Sequence, residues 1–115
     1  DAMTVETIAR VWKEQHYLCD THTAAGWAVA EQYVAATGDT APMVVLSTAS
    51  PYKFPAAVLQ AIGRAESSDE FRQMEQLHRE TGVAIPPMLA ALEQKEEKHI
   101  GVIPKDDMPD FVLNL

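Results

Sequence analysis

Two short segments hold most of the residue types that do chemistry. The first is Asp20-Thr21-His22-Thr23-Ala24-Ala25-Gly26. It sets an acid, a histidine and two hydroxyls where a loop enters a predicted helix. Helix starts expose backbone N–H groups and favour anions. Capping by Asp20, Thr21 or Thr23, with His22 on the surface, is the simpler use of the same residues. The second segment is Val45-Leu46-Ser47-Thr48-Ala49-Ser50-Pro51-Tyr52-Lys53-Phe54. Hydroxyls and a lysine follow an apolar run directly. In open α/β sheets, ligands bind beyond the carboxyl ends of the strands. An ordinary strand-to-helix loop is the plainer alternative.

The other reactive side chains carry weaker signals. His16, His78 and His99 stand apart, without a His-x-x-x-His spacing, and Cys19 has no partner thiol. No metal site is expected from such a set. Cys19 and His22 are close enough in sequence for a nucleophilic pair, but a packed, inert cysteine explains Cys19 more simply. There is no Gly-x-Gly-x-x-Gly or Walker loop.

The elements that must position these segments follow from spacing. Val5, Ile8 and Trp12 share one face of a helix over 4–15, capped by Thr4 or Asp1. A second helix runs from Ala24 to Ala36, with Trp27, Val29, Ala30 and Tyr33 as its apolar surface and Gly38 as its stop. Met43-Val44-Val45-Leu46 is apolar without alternation, as in a strand buried on both sides of a parallel sheet. Phe54 to Ile62 reads as a third helix. A fourth is capped by Ser67 or Ser68, with Ser67 and Glu70 as a capping box; it carries Phe71, Met74, Leu77 and His78 on one face and stops at Gly82. Pro86 or Pro87 opens a fifth. Ile100-Gly101-Val102-Ile103 reads as a second strand, and a short last helix follows from Asp106, with Asp107 as cap and Pro109 in its first turn.

Two strands cannot make a sheet buried on both faces. The chain is therefore either a piece of a larger α/β protein or a helix-rich domain with a small two-strand core. The expected fold class is α/β, helix-rich, with about two parallel strands. Residues 1–115 are expected to form one segment rather than a complete catalytic domain.

Composition narrows the function classes. The 115 residues carry a formal net charge of −8, spread over helix-like segments. Nucleic acid is a poor partner for such a chain, because phosphate backbones are bound by clustered Lys and Arg. No apolar run reaches the length of a membrane span, and no secretory leader is expected. One cysteine cannot form an internal disulfide, which suits a reducing compartment. A cytoplasmic location is expected.

The two segments together, in order and about twenty residues apart, resemble the threonine synthase family. Asp20-Thr21-His22-Thr23-Ala24-Ala25-Gly26 is similar to that family's Asp-Pro-His-Thr-Ala-Val-Gly motif. Val44-Val45-Leu46-Ser47-Thr48-Ala49-Ser50-Pro51-Tyr52-Lys53-Phe54-Pro55 is similar to its Ser/Ala-Thr-Ala-His-Pro-Ala-Lys-Phe-Pro motif. Ile103-Pro104 and the helix after it resemble the family's C-terminal end. Thr21 replaces proline, Ala25 replaces valine, and Ser50 replaces the motif histidine, so Ser50 cannot titrate near neutral pH as an imidazole does.

The resemblance implies a C-terminal fragment of a tryptophan-synthase-β-like (fold type II) enzyme that uses pyridoxal 5'-phosphate. The implied reaction turns O-phospho-L-homoserine and water into L-threonine and phosphate. The lysine that forms the Schiff base lies earlier in the family's sequence, so no catalytic residue is assigned to this chain and Lys53 is not that lysine. Thr48 matches the hydroxyl that meets the pyridine nitrogen of the cofactor. Asp20, His22, Thr23, Ser50 and Lys53 are expected to line the same cleft. The fragment alone is expected to be inactive, and self-association is expected to cover apolar surfaces left by missing strands. The alternatives are a related lyase of this fold type with another substrate, or a stand-alone helical interaction module.

Overall fold

The computed structural model describes residues 2–64, 67–98 and 100–114. The helical spacing near the N-terminus produces α1 (Ala2–Gln15), which buries Ile8 and Val11 completely and packs Val5 and Trp12 at the core margin. Thr4 lies inside this helix, and Asp1 lies outside the described residues. Helix α1 ends where His16 takes a left-handed φ of 53° and its N–H returns to the Trp12 carbonyl.

Helix α2 (Thr21–Thr37) starts three residues before the predicted Ala24, because Asp20 is its N-cap. Gly38 closes it at φ 68°, a left-handed cap that glycine adopts without a Cβ clash. The face it buries is the small one: Thr23, Ala24 and Ala28. Short side chains let α1 and α2 approach closely. Of the bulky residues predicted to supply the apolar surface, Trp27 packs at the core margin, whereas Val29 and Tyr33 point away, 58% and 46% exposed.

After the irregular stretch of residues 38–50, a 3₁₀ turn at Pro51–Lys53 leads into α3 (Pro55–Ala61), which buries Val58, Leu59 and Ala61. Helix α4 (Glu70–Thr81) buries Gln73, Met74 and Leu77. Its cap is Asp69, which accepts the Arg72 N–H at 2.9 Å, rather than the predicted Ser67 or Ser68. Ser67 accepts the N–H of Asp69 instead, one step further out. Gly82 stops α4 at φ 71°, as predicted.

The core lies where α1 meets α2 and α3, and α3 meets α4. Ile8, Val11, Leu18, Cys19, Leu59 and Leu77 form its centre. Each buried Leu, Ile or Val stabilises by about 1.5–3 kcal/mol relative to exposure. Tyr52 ties the turn before α3 to the chain after α4: its hydroxyl donates to the Val83 carbonyl. His78 Nδ1 lies 2.7 Å from the same oxygen. A carbonyl only accepts, so the Nδ1 proton of His78 is fixed there.

Beyond the core the chain runs outward. Helix α5 (Pro87–Ala90) places Leu89 at the core margin. From residue 91 to 114 every described residue is exposed, through 3₁₀ turns at Ala91–Gln94 and Lys105–Asp107 to α6 (Met108–Leu113). Asp107 stands at the N-cap position of α6 but makes no side-chain capping bond.

The expected α/β class is overturned: among the described residues there is no strand. Both runs assigned to parallel strands are irregular and turned to solvent, with Val44 80%, Leu46 77%, Ile100 79% and Val102 94% exposed. An apolar run encodes a demand for burial, whereas a strand also needs a neighbouring backbone to complete its ladder. These two runs do not pair with each other. No described helix is long and apolar enough to cross a membrane.

Candidate functional site

The loop-to-helix junction of the first motif is organised by a buried acid. Asp20 is 1% exposed. One carboxylate oxygen accepts the N–H groups of His22 at 2.8 Å and Thr23 at 3.2 Å. The other accepts the Thr23 hydroxyl. Burial pushes this carboxyl upward, but the Thr23 hydroxyl, the two N–H groups and the nearby His22 outweigh it. The net result holds Asp20 below the usual carboxylate range. Asp20 is therefore a charged cap beneath the surface of this chain.

The second motif reaches the first at two points. Thr23 Oγ1 lies 3.1 Å from Ser47 Oγ. The exposed ring of His22 faces that of Phe54, with centroids 5.8 Å apart. Lys53 Nζ sits 5.4 Å from the same Phe54 centroid, within cation–π range. The His22 Nδ1 also lies 3.4 Å from Asp20 Oδ1 and 3.5 Å from Thr21 Oγ1. Ser50, where the family motif has histidine, caps the 51–53 turn by accepting the Tyr52 N–H at 3.2 Å. Thr48 stands exposed between these contacts and bonds to no described residue.

A third contact fixes the segment before Ser47. A Cβ built on Gly26 would lie 3.2 Å from Val45 Cγ1. Glycine at the end of the first motif therefore leaves room for Val45 to lie across α2. An apolar groove of about 690 Å³ opens beside this crossing, lined by Tyr17, Thr23, Trp27, Val34, Met43 and Val45 among others. Tyr17 stacks on Trp27 with centroids 6.5 Å apart, and Trp27 donates to Glu31 at 2.9 Å.

Of the residues singled out from sequence, Thr23 alone both lines this groove and touches the second motif. His22 and Lys53 converge on Phe54. Thr48 is not part of the groove wall. Ser47, Phe54 and Gly26 are contacts that sequence patterning did not single out, although all three lie within the quoted motifs. Cys19 is buried, and burial together with the adjacent Asp20 pushes its thiol up to about 11. It stays protonated near neutral pH, which disfavours a Cys19–His22 nucleophilic pair.

Comparison with known proteins bears on the same segments. The family described as "Threonine synthase, C-terminal" matches residues 23–111. That stretch contains the second motif entire and the end of the first. The chain belongs to the threonine synthase C-terminal family. A threonine synthase of Pseudomonas aeruginosa is 37% identical over 99 residues, which is 85% of this chain and 17% of that protein. One from Corynebacterium glutamicum is 41% identical over 66 residues, 57% of this chain and 13% of that protein. The chain thus spans only a small part of the length of these threonine synthases.

Proposed function

We propose that this chain is the C-terminal part of an enzyme that converts O-phospho-L-homoserine and water to L-threonine and phosphate. The observation that carries the reading is the meeting of the two motifs, at Thr23 with Ser47 and at His22 with Phe54. Segments twenty residues apart are held side by side, and the family match covers the second entire and the first from Thr23 onward. On this reading the lysine that forms the Schiff base lies in polypeptide outside these residues.

The donor set suits pyridoxal 5'-phosphate at its ring nitrogen. Thr48 offers a neutral, exposed hydroxyl with no competing partner among the described residues. When bound, the cofactor supplies an electron sink for elimination and water addition. Thr48 would meet the ring nitrogen with a hydrogen bond and no charge. A neutral partner leaves that nitrogen less firmly protonated than a carboxylate would. His22 and Lys53, both exposed beside Phe54, stand where they can attract an anionic substrate.

The test is phosphate release from O-phosphohomoserine by the full-length polypeptide that carries this segment. Turnover with stoichiometric threonine is expected, and Thr48→Ala should weaken cofactor binding about three- to tenfold, the range of one hydrogen bond. Turnover of a different amino-acid substrate, with none of this one, would assign the chain to a related lyase instead. Unchanged cofactor affinity in Thr48→Ala would remove Thr48 from the site.

A further inference from the structure

The direction of the hydrogen bonds between the motifs can be worked out atom by atom. Asp20 is a carboxylate and can only accept. Thr23 has a single hydroxyl proton, and it goes to Asp20. The contact between Thr23 Oγ1 and Ser47 Oγ, at 3.1 Å, therefore needs its proton from Ser47. The order is Ser47 to Thr23 to Asp20, from an exposed hydroxyl through a 3% exposed one to a 1% exposed acid. The Ser47 oxygen is left with lone pairs facing outward and no proton to offer. The neighbouring Thr48 hydroxyl has no such partner and keeps its proton free to donate.

The segment that carries both hydroxyls has few other ties. Residues 41–50 form no regular element. Val45 is wedged against Gly26 on one side, and Ser50 is fixed in the next turn by the Tyr52 N–H. Between these points the Ser47–Thr23 bond is the anchor adjacent to Thr48.

We propose that Asp20, Thr23 and Ser47 form a one-way hydrogen-bond relay whose task is to position Thr48 for the cofactor's ring nitrogen. Thr23 and Ser47 are positioning residues and do not themselves touch the reacting atoms. The charged end of the relay is buried, so its direction stays fixed over the range in which Asp20 is ionised. This inference rests on the role assigned above to Thr48.

The experiment uses the full-length polypeptide, stripped of cofactor and titrated with pyridoxal 5'-phosphate by fluorescence. Backbone hydrogen exchange over residues 43–50 is followed in the same samples. Ser47→Ala, at an exposed position, and Thr23→Val, which keeps the buried shape, should each weaken cofactor binding about three- to tenfold. Each should also speed exchange over 43–50, and Thr23→Ser should restore both readouts. Unchanged affinity in Ser47→Ala overturns the relay, as does faster exchange without weaker binding. If Thr48→Ala leaves affinity unchanged while Ser47→Ala lowers it, Thr48 is not the group being positioned and the reading of Thr48 fails separately.

Discussion

Asp20 shows how one buried side chain joins stability to function. It caps α2, orders the Thr23 hydroxyl and keeps a negative charge within 3.4 Å of the His22 ring. Replacing it with alanine would strand two N–H groups and a hydroxyl, and should cost about 1–3 kcal/mol in urea denaturation. Its folded pKa is depressed from 3.8. The stability this carboxylate contributes is therefore complete above that value and lost as pH falls through the lower, folded one. Urea midpoints followed into the acid range should drop more steeply for the native chain than for Asp20→Asn. Equal slopes would show that the carboxylate is not specially held. Asp20 was legible as a cap from its place before Thr21 and His22. Its burial was not, because nothing in the local pattern says that the link from Leu18 to Asp20 runs through the core.

At the scale of elements, α2 is amphipathic in an uncommon sense. Its buried face is alanine and threonine, with Trp27 at the core margin, and its outward face carries Val29, Tyr33 and Val34. Spacing alone placed the helix and its Gly38 stop well, because period and caps are local properties. It placed Trp27 against the core correctly but put Val29 and Tyr33 there too, because side-chain size argued for burying the large residues. The apolar runs at 43–46 and 100–103 misled for a related reason: burial demand and strand pairing look alike in composition, and only the second needs a partner. Gly26 tests how tightly α2 receives the 43–46 run. Gly26→Ala should gain up to ~1 kcal/mol of helix propensity while pushing on Val45 at 3.2 Å. The expected outcome is a melting temperature little changed or raised, with altered Val45 methyl shifts in NMR. Unaltered shifts would mean that Val45 does not need the glycine.

At the scale of the whole molecule, the radius of gyration is 17.7 Å, whereas a compact chain of this length has about 13 Å. Residues 91–114 are exposed wherever described and form an arm that carries Phe111, Val112 and Leu113 at 52%, 61% and 82% exposure. Together with Val44 and Leu46 they present apolar surface of the kind that marks contact with other polypeptide. Acidic substitutions there should leave the core untouched: Val112→Asp with Leu113→Asp is expected to change stability by no more than about 0.5 kcal/mol. A larger loss in denaturant unfolding of the chain would show that the arm folds back on the body.

The Val83 carbonyl, finally, has both of its lone pairs engaged, one by Tyr52 and one by His78. That oxygen has no capacity left for water. The turn bearing Ser50 and Lys53 is consequently joined, through Tyr52 and this one oxygen, to His78 of α4. The downstream end of the second motif is thereby tied to the chain after α4, as its upstream end is tied to α2 through Val45 and Ser47.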